Sequence, residues 1–351
     1  MNREMPTMMG WEITRRCNLT CPHCYSAATR KALNELTTRE CLDIVGTLNE
    51  MGIKMVGWTG GEPLLREDLE EIIHEARRFG MKQGITTNGV LLDEERGKSL
   101  KKAGVTAMQV SIDGTTAERN RPMRNATDEE FEKALEAVRV SVRLGFKTSL
   151  AMMIGQENLD DAPRFIRMAK KMKVHVVRFS GFVPHGRGKG QRSRLEFTTR
   201  LGELKAFVSQ FTGYEKMPIA FDPGFGPLPP YYEFHQCIAG KQMFYLSCIG
   251  DVYPCTSLLS KEFIVGNVRQ RSLIDIWNDP NMTKMADFPR DKIQGACRTC
   301  RYMPVCHGAC RGASYAHTGD LYASFPACLR TVRIKKNPAM LVKSRASKKS
   351  R

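Results

Sequence analysis

Apolar residues at helical spacing alternate with short apolar runs between residues 10 and 180. Three amphipathic segments end at a glycine (Gly52, Gly80 or Gly145), as many helices do. A short run typical of a strand, such as IKMVGWT after Gly52, follows each of them. Three more such runs are present, and helical segments precede two of them. The pattern predicts six strands separated by helices: 10–14, 53–59, 81–87, 105–111, 146–154 and 174–180.

Strands that alternate with helices pair in parallel, so the pattern predicts an α/β fold, an open or partial (β/α)6 TIM-like barrel. Unusual residues follow the first four strands: Cys17, GGEP at 60–63, NG at 88–89 and DG at 113–114. One such pair alone would be an ordinary turn. Because the C-terminal ends of parallel strands meet at one edge of the sheet, four together predict a functional site there.

The segment CNLTCPHC, residues 17–24, contains Cys17, Cys21 and Cys24. Four thiolates close a structural metal site, whereas three leave one coordination position open. Three thiols at the strand ends therefore predict a metal centre with room for a small-molecule ligand.

The composition predicts a cytoplasmic protein. The 351 residues are 42% hydrophobic, yet no apolar run approaches the roughly 20 residues of a membrane span. The N-terminal residues lack the pattern of a secretory signal. In a reducing compartment the twelve cysteines are expected to bind metal or serve redox chemistry rather than form disulfides. Cys41 is the exception, since it lies on the apolar face of a predicted helix.

The formal net charge is +17, and the tail 331–351 contains eight Lys or Arg residues and no acidic residue. It has no aromatic residue to stack on bases, which argues against nucleic-acid binding, and it is expected to be disordered. An RNA-modifying enzyme stays an alternative, and activity that is insensitive to salt would count against it.

These motifs resemble those of the radical S-adenosylmethionine (radical SAM) enzymes, which carry C-x3-C-x2-C after the first strand of a six-unit partial barrel. The resemblance covers about residues 11–185. It implies a [4Fe–4S] cluster held by Cys17, Cys21 and Cys24, with one iron free to bind the amino and carboxylate groups of S-adenosylmethionine (AdoMet). In that family one electron from the cluster cleaves AdoMet, and the resulting 5′-deoxyadenosyl radical abstracts hydrogen from the substrate.

The stretch TGGEP matches the second motif of the family. The resemblance implies that Gly60 and Gly61 let the backbone approach AdoMet and that Glu62 accepts a hydrogen bond from its ammonium group.

Four side chains at other strand ends are also implied in cofactor binding. Asn88, Ser111 and Asp113 correspond to positions that contact the ribose and the methionyl group. His23 stands where the family usually has an aromatic residue near the adenine, although a surface loop histidine is an alternative. Arg124 is a candidate partner of the AdoMet carboxylate.

Eight cysteines follow the end of the strand–helix pattern, and seven of them, all except Cys248, form one spaced set. Their spacing matches the SPASM domain, C-x(9–15)-G-x4-C, C-x2-C-x5-C-x3-C and a final C, at all seven positions. By resemblance this domain holds two auxiliary iron–sulfur clusters, expected to be [4Fe–4S]. The nearer cluster would use Cys237, Cys255 and Cys310, and the outer one Cys297, Cys300, Cys306 and Cys328.

Spacing alone also permits a zinc site. It would consist of Cys297, Cys300, Cys306 and Cys310 and would leave the other three cysteines unexplained.

The nearer cluster lacks a fourth ligand in the pattern, since Phe244 occupies the position where some relatives have a cysteine. Cys248 is a candidate, because a hairpin through YLSCIGDVYPC would bring it close to Cys255. Two alternatives stay open: an iron that is open to substrate, and a Cys248 that packs as a small hydrophobic residue.

The motifs divide the chain into five parts: an extension (1–10), the radical SAM core (11–190), a bridging region (191–236), the SPASM domain (237–330) and the basic tail (331–351).

By resemblance, SPASM enzymes mostly modify ribosomally made peptides, and a second branch modifies tetrapyrrole side chains on the way to heme b or heme d1. The stretches PHGRG (184–188) and QCIAGKQMFYLSCIGDVYPC (236–255) occur loosely in both branches. A peptide or peptide-derived cofactor precursor is the primary prediction for the substrate, and a tetrapyrrole is the alternative. A further alternative is an electron-transfer protein with three clusters, but such a protein would not need the conspicuous residues at the strand ends. The other expected partners are an electron donor such as ferredoxin or flavodoxin and a peptide-recognition protein.

Overall fold

The computed structural model describes residues 4–31, 34–192, 200, 202–204, 206–207, 218–222, 237–326 and 328. Most of the predicted bridging region (191–236) and the whole basic tail (331–351) lie outside the described residues. The strands are β1 (Met8–Thr14), β2 (Met55–Gly60), β3 (Lys82–Thr87), β4 (Ala107–Ser111), β5 (Lys147–Ile154), β6 (Val176–Gly181), β7 (Ile219–Phe221), β8 (Met243–Leu246), β9 (Asp251–Tyr253) and β10 (Gly266–Asn267).

The helices between the strands end close to the predicted glycines. For example, α1 begins after a capping box formed by Thr37 and Glu40 and ends two residues before Gly52. The helices are α1 (Thr38–Glu50), α2 (Leu69–Arg78), α3 (Glu94–Ala103), α4 (Ala117–Arg124), α5 (Asp128–Arg143), α6 (Ala162–Lys171), α7 (Leu273–Trp277), α8 (Pro280–Ala286), α9 (Met303–Cys306) and α10 (Arg311–Thr318).

The strands form one sheet in the order β10-β9-β8-β1-β2-β3-β4-β5-β6-β7. All six predicted strands are present, and from β1 to β6 each pairs in parallel with the next. The predicted α/β fold with a parallel sheet is confirmed. Within the described part of the chain, none of the helices has both the length and the apolar character needed to cross a membrane.

The two faces of the sheet differ in the size of their side chains. On the helix-covered face, Trp11 and Trp58 are completely buried and stack with ring centroids 5.2 Å apart. On the opposite face, Gly10, Gly57 and Gly84 lie side by side in register on β1, β2 and β3. Because side chains alternate between faces, one face of β1, β2 and β3 carries the core, and at this level the other face carries only glycines.

The cysteine-rich C-terminal segment extends the same sheet. Strand β8 pairs in parallel with β1, and β9 returns antiparallel beside β8. This pairing covers the edge of β1, which would otherwise expose unpaired backbone groups. The sequence pattern predicts the hairpin but not its attachment to β1.

Candidate active site

The loop after β1 carries Cys17, Cys21 and Cys24 at the C-terminal edge of the sheet. Two backbone hydrogen bonds close it at its base, from the Cys17 amide to the Thr29 carbonyl (2.8 Å) and from the Thr29 amide to the Arg15 carbonyl (3.0 Å). Cys17 and Cys21 are each 8% exposed, and Cys24 is half-buried. The three thiols therefore lie in one small apolar cluster, as the sequence predicts.

The chemistry of this loop fits an iron–sulfur cluster. Burial raises the pKa of Cys17 to about 11 and that of Cys21 to about 12, so these thiols keep their protons until a metal ion displaces them. Beside Cys17, the Nδ2 group of Asn18 is buried and has no hydrogen-bond partner among the described residues. A cluster sulfide or a cofactor oxygen is the kind of acceptor that such a donor requires.

The two glycines of GGEP allow a close approach of two backbone segments. A Cβ atom on Gly60 would lie 2.3 Å from the Thr14 carbonyl oxygen, and one on Gly61 would lie 2.3 Å from that of Arg16. Both contacts are with the segment that leads into Cys17. The glycines therefore let this backbone approach the cysteine loop, and its predicted approach to AdoMet stays a prediction.

Glu62 joins the loops that follow β2 and β3. Its Oε1 accepts hydrogen bonds from the Thr87 hydroxyl (2.7 Å) and the Leu64 amide (3.1 Å), and its Oε2 accepts one from the Asn88 amide (2.7 Å). Burial raises the pKa of Glu62 to about 7 despite these bonds. The carboxylate thus orients the neighbouring rim loop, and its predicted bond to the AdoMet ammonium stays a prediction.

Asp113 is the centre of a buried network that includes His23 and Arg124. Its Oδ2 accepts hydrogen bonds from His23 Nε2 (2.9 Å) and Arg124 Nε (2.6 Å), and its Oδ1 accepts one from the Met153 amide (2.7 Å). Burial disfavours the charged form, but Arg124 and His23 outweigh it and lower the pKa of Asp113 to about 2.

The network concerns the predictions for Asp113 and His23. Asp113 has no exposed surface and holds His23 and Arg124 in place, and its predicted contact with the cofactor stays a prediction. His23 is not a surface histidine, since its side chain is 12% exposed and bonds Asp113. The predicted packing of His23 near the adenine stays a prediction.

The other predicted cofactor residues also lie at this edge. Arg124 is beside the cysteine loop, where its charge lowers the pKa of the Cys21 thiol against the effect of burial. Asn88 donates a hydrogen bond to Asn18 Oδ1 (2.8 Å), and Ser111 is the last residue of β4. The structure therefore brings all the residues predicted for the radical site together.

Two family models match the chain. That of the radical SAM superfamily matches residues 11–169, and that of SPASM, an iron–sulfur cluster-binding domain, matches residues 237–301. The chain is a radical SAM enzyme with a SPASM domain. Its radical SAM domain uses AdoMet and a [4Fe–4S] cluster, and its SPASM domain binds auxiliary iron–sulfur clusters.

Relatives of this radical SAM enzyme carry different names. The AdoMet-dependent heme synthase of Methanosarcina barkeri is 28% identical over 92% of this chain and 96% of its own length. The mycofactocin maturase MftC of Mycobacterium ulcerans is 27% identical over 93% of this chain and 89% of its own. Streptococcus suis SuiB bound to S-adenosylmethionine has a TM-score of 0.72 at 16% identity, over 91% of this chain and 76% of SuiB. At this identity the likeness to SuiB shows the shared fold.

The cysteines predicted for the outer auxiliary cluster lie together. An apolar cavity between α9 and the C-terminal end of the described chain is lined by Cys297, Cys300, Cys306 and Cys328. This is the predicted set of four. The ligand set itself stays a prediction.

Cys310 belongs to the other group. Burial raises the pKa of the Cys255 thiol, and the neighbouring thiols of Cys310 and Cys237 raise it further. Ser257 lies near both thiols: its amide acts against the rise in the pKa of Cys255, and its side chain acts against the rise in the pKa of Cys310. The zinc alternative requires Cys310 in the outer group and does not fit this division.

The predicted hairpin forms, but it separates Cys248 from Cys255. Cys248 lies in the turn after β8, whereas Cys255 lies beyond the far end of β9. The four residues 251–254 between the turn and Cys255 span roughly 13 Å in an extended strand. Cys248 is completely buried and its amide donates to Glu12 Oε2 (3.4 Å). The prediction that the hairpin brings these two cysteines together is wrong, and Cys248 packs as a small buried residue.

We therefore expect Cys248→Ala to leave the auxiliary clusters unchanged. Iron content and electron paramagnetic resonance (EPR) spectra of the reduced protein test this in a background that lacks the radical cluster. Cys255→Ala is the matched control and should lose auxiliary signal. An altered spectrum in Cys248→Ala would show that this thiol reaches a cluster after all.

The sequence motifs indicate no role for Asn18 or Arg187, although both contact the cysteine loop or its neighbours. Asn18 lies inside the cysteine motif, at a position that the motif leaves unspecified. Arg187 belongs to PHGRG, which stands out in the sequence but is 163 residues beyond Cys24. Only the fold shows that the two segments touch.

Proposed function

We propose that this radical SAM enzyme abstracts hydrogen from a ribosomally made peptide or a peptide-derived cofactor precursor. The observation that carries the proposal is the position of the three thiols, two of them buried, beside the Asp113 network at one edge of the sheet. When bound there, AdoMet and the reduced cluster supply the 5′-deoxyadenosyl radical.

Individual side chains have defined tasks in this proposal. The three thiols of the β1 loop hold the cluster. Asp113 binds Arg124 through Nε, which leaves the two Nη groups of Arg124 for the AdoMet carboxylate. Asn88 and Ser111 contact the ribose and the methionyl group.

Two relatives support a peptide substrate. The mycofactocin maturase MftC aligns with nearly the whole chain. SuiB, which shares the fold, has also been solved bound to its precursor peptide SuiA. An electron donor of the ferredoxin or flavodoxin type would reduce the radical cluster, and a separate peptide-recognition protein would deliver the substrate.

A tetrapyrrole is the second candidate substrate, because the heme synthase relative aligns over almost its full length. Arg178 on β6 is compatible with it. This side chain is exposed on the face opposite Val177 and Phe179, and it forms no hydrogen bond or ion pair with the residues that the structure describes. Such a cation suits a propionate carboxylate.

Anaerobic turnover tests the proposal. Reduced protein and AdoMet are incubated either with a peptide encoded by a short neighbouring gene or with a propionate-bearing tetrapyrrole. We expect the peptide to raise 5′-deoxyadenosine formation above the substrate-free rate and to change in mass. Loss of carbon dioxide from the tetrapyrrole, with an unchanged peptide, would favour the second candidate. Modification of neither would contradict both.

A further inference from the structure

We propose that Arg187 is a positioning residue for the radical-cluster cysteine loop. It lies in the segment His185–Gly188, called the clamp segment here, which follows β6. The proposal rests on the assignment of Cys17, Cys21 and Cys24 as cluster ligands, and it gives a task to the PHGRG stretch.

Arg187 binds three backbone carbonyls of that loop. Its amide donates to the Cys24 carbonyl (3.0 Å), its Nε donates to the Cys21 carbonyl (3.1 Å), and its Nη1 donates to the Ala28 carbonyl. Two of these carbonyls belong to cysteines predicted to hold the cluster. The amide and the side chain of this one residue therefore fix the backbone at both cysteines and at the point where the loop returns toward β1.

Gly186 brings the clamp segment against the same loop. Its φ is +52°, and a Cβ atom there would lie 2.4 Å from the Tyr25 carbonyl oxygen and 2.5 Å from that of Cys24. Any other residue would push these carbonyls away. The backbones of the clamp segment and the cysteine loop are thus in direct contact, which allows the Arg187 amide to donate to the Cys24 carbonyl.

The other end of the clamp segment reaches the nearer auxiliary site. The buried His185 donates from Nε2 to the Ser257 carbonyl (3.0 Å). Ser257 in turn lies close enough to the thiols of Cys255 and Cys310 to affect their pKa values. Four consecutive residues therefore connect the radical-cluster loop to the residues around the auxiliary cysteines, and this holds the two sites at a fixed separation.

Contacts just outside the metal ligands orient those ligands and tune the metal. Here the guanidinium orients the backbone at Cys21 and Ala28, and the Arg187 amide orients it at Cys24. The positive charge of the guanidinium favours the reduced, more negative cluster. Loss of Arg187 is expected to lower the reduction potential of the radical cluster. Removal of such contacts typically costs roughly 10- to 100-fold in metal affinity or activity.

Arg187→Gln tests the proposal, with Arg30→Gln as the matched control. Arg30 is an exposed arginine of the same loop, so its replacement removes the same charge without these hydrogen bonds. In Arg187→Gln we expect a lower midpoint potential, a changed EPR spectrum of the reduced radical cluster and roughly 10-fold or greater loss of AdoMet cleavage. The EPR spectra of the auxiliary clusters should match those of the wild-type protein. Arg187→Lys should restore part of the potential but not the spectrum, because an ammonium cannot replace the forked guanidinium.

Gly186→Ala disturbs the same contact and keeps the charge. Gly186→Ala should change the EPR spectrum of the radical cluster in the same way, with a smaller change in the midpoint potential. If Arg187→Gln does not fold, Gly186→Ala alone tests the proposal. Wild-type spectra and potentials in both variants would overturn the proposal. A radical-cluster spectrum that survives Cys21→Ala would instead overturn the ligand assignment on which the proposal rests.

Discussion

Replacement of Cys21 with alanine is expected to abolish reductive cleavage of AdoMet. A [4Fe–4S] cluster with one iron open to AdoMet has only three protein ligands, so loss of one thiol removes a third of its anchoring. Anaerobically reconstituted wild-type protein should hold about twelve irons, and the variant about eight, because three [4Fe–4S] clusters fall to two. Iron and sulfide analysis, together with an assay for 5′-deoxyadenosine, measures both effects.

Cys41→Ala is the matched control. Cys41 is completely buried in α1, and its thiol contacts Arg66 and the Leu36 carbonyl rather than another cysteine. The Cys41→Ala variant should keep the full iron content. Stoichiometric zinc with little iron in the wild-type protein would contradict the assignment of the C-terminal cysteines.

The helices and strands of the central fold could be predicted because residues close together in the sequence determine them. Apolar spacing distinguishes α1 from the strand that follows it, and the glycines mark where helices end. The attachment of β8 to β1 could not be predicted in this way. Pairing between segments more than 200 residues apart depends on which sheet edge is open, and no short-range pattern records it.

In the candidate site, too, some features could be predicted from the sequence and others could not. The position of the cysteine motif and of GGEP at the strand ends followed from the predicted strands, and their chemistry followed from the resemblance to the radical SAM family. The partners of Asp113 did not follow, because His23 and Arg124 come from a loop and a helix that only the folded chain brings together. Cys248 was misplaced for a related reason: a hairpin was predicted without its register, and register decides which residues face each other.

Asp113→Asn is expected to weaken both the fold and AdoMet binding. The asparagine side chain has the same size but no charge, and its NH2 group cannot accept the hydrogen bond from Arg124. Arg124 is then a buried cation without a counterion, and loss of one partner of a buried pair costs ~3–5 kcal/mol. Because the pKa of Asp113 is lowered to about 2, its stabilisation is present above pH ~4 and is lost only as the pH falls toward 2. Denaturant unfolding and AdoMet titration of the reconstituted protein measure the two effects.

Asp161→Asn is the control that separates an effect on the stability of the fold from an effect on AdoMet binding. Asp161 is also completely buried, and it accepts hydrogen bonds from the Thr115 amide and hydroxyl, two residues beyond Asp113. Its cationic neighbours, Arg119 and Arg164, are largely exposed, so the cofactor site does not depend on it. This variant should lose stability but keep its affinity for AdoMet. Equal losses of affinity in the two variants would mean that Asp113 acts through general stability, whereas a loss confined to Asp113→Asn would show that the anchored Arg124 binds the cofactor.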